Sequence, residues 1–155
     1  MITQVIRTSL ISLGLGFMCQ LGQAWFGSQY FDEFLRANLI NIQIALLAVN
    51  SATMGIVLTK IRDLVDKHGH GEAFKKSRDQ FLLSIKEQVA LLVASIIVLT
   101  VSQSTYVTDI PLAKVAFGST TAAIFVYSIQ VLYDTAKSVL VIIDYSDNEG
   151  TGHEQ

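Results

Sequence analysis

Polar but uncharged side chains at seven-residue spacing are the groups in this chain best placed to do chemistry. Gln43 and Asn50 stand seven residues apart, as do Gln88, Ser95 and Ser102, so on an α-helix each set falls close to one face. Inside a membrane such groups have two uses. They hydrogen-bond between helices, at roughly 1 kcal/mol per contact, or they line a polar conduit or ligand site. Gln43, Asn50, Gln88, Ser95 and Gln130 are therefore candidates for polar lining or interhelical contact, with Gln20 and Gln23 as a further amide pair. Enzymatic chemistry has no such basis. There is no HExxH, phosphate loop, nucleophile–base pair or cofactor motif, so no catalytic residue, metal or cofactor is expected. His68 and His70 in "HGHG" have a His-x-His spacing, but a metal site needs further ligands, and a solvated turn is expected there.

The elements that must carry these groups follow from where charge is absent. Hydrophobic residues make up 51% of the 155-residue chain and charged residues 15%, against roughly 25% charged in soluble domains. Four charge-free runs, 8–31, 37–59, 88–108 and 115–133, account for this composition. Each is 19 to 24 residues long, and about 20 apolar residues cross a hydrocarbon core. A soluble four-helix bundle is excluded by patterning, because "VALLVASIIVLTV" (89–101) has no polar face. The expected fold is all-α, a bundle of four membrane spans. Net charge is −2, which gives no basis for direct nucleic-acid binding. The single Cys19 leaves no intrachain disulfide to form.

Charge placement sets the expected orientation. In a four-span layout Arg7, Lys60, Arg62, Lys67, Lys75, Lys76, Arg78, Lys86 and Lys137 lie on one side, and only Arg36 and Lys114 on the other. By the positive-inside rule both termini and the central connection face the cytoplasm, as in a multi-pass protein of a bacterial inner membrane. The first run, with Arg7 before it, lacks a clear cleavage site, so it is read as a span and not a secretory signal.

Several local signals shape the spans. Asp32 and Glu33 suit the N-terminus of the second helix, and Pro111 suits the start of the fourth. The second helix could continue to Lys67, about 50 Å of helix against a core of about 30 Å. Its surplus, with Gly69 and Gly71 as breakers, predicts a cytoplasmic helical hairpin over 60–87 extending spans 2 and 3. On the second helix Ala37, Asn41, Ala45, Ala48, Ala52, Gly55 and Thr59 fall within an arc of about 80°. Small residues at these steps form a helix-packing seam, almost opposite Gln43 and Asn50. With two faces that prefer protein to lipid, span 2 is expected to be a central helix. Span 4 carries a second stripe, Ala116, Thr120, Ala123, Tyr127, Gln130, Asp134 and Lys137. No acid or base is expected in the middle of a span, which argues against a proton-coupled exporter. Residues 1–146 form the membrane domain with its hairpin, and the acidic 147–155 a disordered tail. Arg62, Lys67, Lys75, Lys76, Arg78 and Asp134 are candidate contacts for a protein partner or lipid head groups.

The plan of a short four-span chain with both ends inside and a charged central hairpin, "KIRDLVDKHGHGEAFKKSRD", resembles small membrane components of bacterial anti-phage systems, such as the Kiwa membrane subunit and the lambda exclusion protein RexB. That resemblance implies a membrane sensor holding a cytosolic effector, or a depolarising pore. Two functions are therefore expected to compete. One is a homo-oligomeric, non-enzymatic membrane subunit that anchors or signals to a cytoplasmic protein through 60–87. The other is an ion channel or pore lined by the amide faces.

Overall fold

The computed structural model describes the backbone of residues 2–68, 71–104, 107 and 109–150, and the side-chain surroundings of 3, 5–62, 78–104, 107, 109–137 and 139–140. Among these residues the chain forms four long α-helices: α1 (Ile2–Phe26), α2 (Tyr30–His68), α3 (Gly71–Ser102) and α4 (Pro111–Gly150). Each contains a stretch long and apolar enough to cross a membrane, Val5–Phe26, Tyr30–Arg62, Arg78–Ser102 and Pro111–Lys137. The 39 residues of α2 extend about 58 Å at 1.5 Å per residue, longer than a bilayer core requires. Pro111 opens α4, where its missing N–H costs no helical hydrogen bond. α4 runs through 147–150, the first part of the stretch expected to be a disordered tail. Residues 69, 70 and 151–155 lie outside the described residues.

The α1–α2 turn is built from local backbone chemistry. Gly27 takes a left-handed φ of 63°, and the Ser28 N–H returns to the Gln23 carbonyl at 3.1 Å, the closure that a glycine after a helix end permits. Gln23 then serves the next helix, since its Oε1 accepts the Asp32 N–H at 3.1 Å. That amide is one of the free donors at the start of α2. Asp32 also pairs with Arg36 one turn on, at 2.8 Å.

Contacts between helices fix the topology. Ser12 meets Gln130 and Gly16 meets Ser119 and Ala123, so α1 and α4 are antiparallel. Leu39 and Leu99 share one apolar cluster and Ile61 and Phe81 another, so α2 and α3 are antiparallel as well. α4 packs against each of the other three helices, and α1 meets the bundle mainly through α4. The central helix is thus α4, and the expectation for span 2 is corrected. The reason lies in side-chain size along α4: Gly118, Ser119, Ala122, Ala123 and Ser128 are all buried, and small residues on several faces let several neighbours approach.

The tightest approach is at Gly16. A Cβ there would overlap the Ser119 carbonyl oxygen and stand 2.7 Å from the Ala123 backbone nitrogen. Both are backbone atoms that cannot swing aside. Gly16→Leu is expected to separate α1 from α4 at a cost of about 1–3 kcal/mol. Gly14→Ala, at a position with nothing within 4 Å, serves as the control. Thermal unfolding in detergent of the two variants beside the parent measures the difference.

Candidate functional site

The polar residues lie mainly inside the bundle, and apolar side chains cover its outside. Gln43, Asn50 and Gln88 are 1%, 2% and 1% exposed, while Ile56 and Leu10 are 67% and 64% exposed. This is the reverse of a soluble core, and it suits lipid as the surrounding solvent. Along α2 the buried face runs Leu35, Leu39, Gln43, Asn50, Met54, Val57 and Ile61, at spacings of three, four and seven residues.

Some of these buried groups are paired. The Gln43 Nε2 donates to Ser128 Oγ at 2.5 Å, while the Ser128 hydroxyl donates to the Ile124 carbonyl at 2.7 Å. Ser84 and Thr135 bond at 2.8 Å, and on the other side of α4 Ser12 donates to Gln130 at 3.1 Å. Ser95 and Ser102 are buried, with hydroxyls returning to the Leu91 and Leu99 carbonyls of their own helix. Asn50 and Gln88 differ, because among the described residues neither amide has a hydrogen-bond partner on its oxygen or its nitrogen. Buried amides of this kind carry a desolvation cost that nothing in the bundle repays.

The small-residue seam faces the other way. Ala37, Asn41, Ala45, Ala48, Ala52, Gly55 and Thr59 are all exposed, and a Cβ on Gly55 would meet nothing within 4 Å. Of the residues expected to meet a partner or lipid heads, Arg62, Arg78 and Asp134 are exposed. The side chains of Lys67, Lys75 and Lys76, and most of the 60–87 hairpin, lie outside the described residues.

A different constellation forms where α1 and α3 stand apart in front of α4. Glu87 of α3, half-buried, Tyr127 of α4 and Ser9 of α1 line the same opening. Asp134 is close enough to act on both Glu87 and Tyr127. Two cavities share Glu87 and Tyr127. One, of about 90 Å³, adds polar groups from Thr8, Gln80, Ser84, Asp134 and Thr135. The other, of about 340 Å³, is a mainly apolar groove along Leu13, Ala90, Leu91, Ala94, Ala123 and Ile124. Glu87 stands on α3 just before the charge-free run 88–108. Beside Lys86, at the edge of a charge-free run, it reads in the sequence as an interfacial charge. Ser9, Ser84, Ser128 and Thr135 also carried no distinguishing signal, because an isolated hydroxyl in a span most often bonds its own helix.

Among the described residues no group of His, Cys, Asp and Glu is arranged to hold a metal ion. The arrangement defines a multi-pass membrane bundle with a polar interior, a side groove holding a carboxylate, and an outward seam of small residues. No protein-family model, curated protein or solved structure matches the chain.

The two kinds of buried amide should answer mutation with opposite sign. Ser128→Ala removes the partner of Gln43 and is expected to destabilise by about 1 kcal/mol. Asn50→Leu and Gln88→Leu replace unpartnered amides by apolar groups of similar size, and should be neutral or stabilising. Unfolding titrations of the three variants in mixed micelles read the sign.

Proposed function

We propose that this chain is a non-enzymatic subunit of a bacterial inner membrane that self-associates and anchors or signals to a cytoplasmic protein. The observation that carries this reading is the outward-facing seam of α2. Six small residues and Asn41 lie exposed along one face at helix-packing spacing, while the amide face of the same helix is turned into its own bundle. A helix bathed in lipid gains nothing from such a stripe, whereas a second helix can approach its backbone closely there. In this reading both termini and the α2–α3 connection face the cytoplasm. The distribution of Lys and Arg supports that orientation. The charge-free run of α2 ends at Thr59 while the helix continues to His68, and α3 starts at Gly71, well before its charge-free run opens at Gln88. These extensions supply the surface for a cytosolic partner, and the membrane-anchored role in anti-phage defence belongs to the same proposal.

Cysteines at Ala48 or Ala52, introduced one at a time with Cys19→Ser, should cross-link to a second copy in native membranes. Cysteine in place of Leu10 of α1 or Ile97 of α3, both exposed on other helices, should not. Gly55→Leu should weaken association by about 5- to 30-fold, equal to about 1–2 kcal/mol. Cross-linking that is indifferent to face would remove the seam from the interface.

A pore is the second reading, favoured by the unpartnered Asn50 and Gln88. Water entering between α2, α3 and α4 would give those amides partners and create a conduit. Ion flux into liposomes should then fall at least several-fold with Gln43→Leu and Asn50→Leu together. Flux unchanged by the pair would end this reading.

A further inference from the structure

The groove in front of α4 combines features that call for a particular kind of ligand. Its volume of about 340 Å³ falls in the range of small-molecule sites, roughly 300–1,000 Å³. Its walls are largely hydrocarbon, contributed by Leu13 of α1, Ala90, Leu91 and Ala94 of α3, and Ala123 and Ile124 of α4. Its polar end is Glu87. The Tyr127 hydroxyl lines the groove with it, and a second carboxylate, Asp134, lines the adjoining cavity that shares Glu87. Neither brings a positive charge. A half-buried carboxylate beside apolar walls and another anion gains most from a cation that displaces its remaining water. A phospholipid would fill the walls, but its phosphate would then stand near two carboxylates. An ion with its positive charge surrounded by hydrocarbon meets both requirements.

We propose that the groove between α1 and α3 binds lipophilic monocations, with the apolar groups against Leu13, Ala90, Ala94 and Ile124 and the positive charge at Glu87. Tyr127 and Ser9 line the groove beside this carboxylate. The site lies within a single chain and does not depend on self-association.

The test uses the full-length protein in phosphatidylcholine nanodiscs with radiolabelled tetraphenylphosphonium. Tetraphenylborate, of nearly the same size and shape but opposite charge, is the paired probe. Saturable binding of the cation, near one per chain, is expected, with only non-saturable partition of the anion. Glu87→Gln should weaken cation binding at least tenfold and Asp134→Asn by a smaller factor. Ala90→Phe, which fills the groove from an exposed position, should abolish it. Asp79→Asn, which neutralises an exposed carboxylate of α3 not in the groove, should leave it unchanged. Ala90→Phe keeps the test decisive if Glu87→Gln fails to fold. Equal saturable binding of both ions, no saturable cation binding, or full binding by both groove variants would overturn the proposal.

Discussion

Lipid removes the usual reason for helices to associate, because hydrocarbon tails are as apolar as a leucine side chain. What remains is close backbone approach and polar contact, and both converge on α4 in this bundle. Gly16 of α1 fits against Ser119 and Ala123, Gln43 of α2 bonds Ser128, and Ser84 of α3 bonds Thr135. Each of the other helices thus has its own small-residue or hydroxyl contact with the same partner. The apolar clusters around Leu39 and Leu99, and around Ile61 and Phe81, fill the spaces between these points.

The parts of this fold visible in the sequence are those decided locally. Hydrocarbon length sets the four spans, and helix-end chemistry sets the acidic start of α2 and Pro111 at the start of α4. A helical wheel alone separates the small seam of α2 from the Gln43–Asn50 face. Which of those faces turns inward is not local information, because both are poor company for lipid. The choice is made by Ser128 and by the buried leucines on the amide side, which belong to the tertiary structure. The position of α4 was hidden for the same reason: its stripe of Thr120, Ala123 and Tyr127 is plain in sequence, but the neighbours are not. Glu87 was obscured by Lys86 beside it, since a pair of opposite charges at the end of an apolar run ordinarily marks the water boundary.

The same helix economy gives the bundle three distinct surfaces. α2 offers a seam with no side chain large enough to hold a neighbour away. α1 and α3, splayed across α4, leave a groove that ends in a carboxylate. Among the described residues, the interior keeps two amides, Asn50 and Gln88, without partners. A single bundle can therefore present one surface to another copy and one to a small ligand without either competing for the same residues.

The dependence on α4 also orders the birth of the molecule. The Ser12–Gln130 bond joins residues 118 positions apart, and α1 has little else in the chain to hold it. During synthesis α1 enters the bilayer and must wait there through the insertion of two further helices. α2 and α3, which share their own contacts, can pair in the meantime. Throughout that interval Gly16 presents a bare notch to the lipid and to any passing helix. The step that completes the packing of α1 is thus the arrival of the most distant segment.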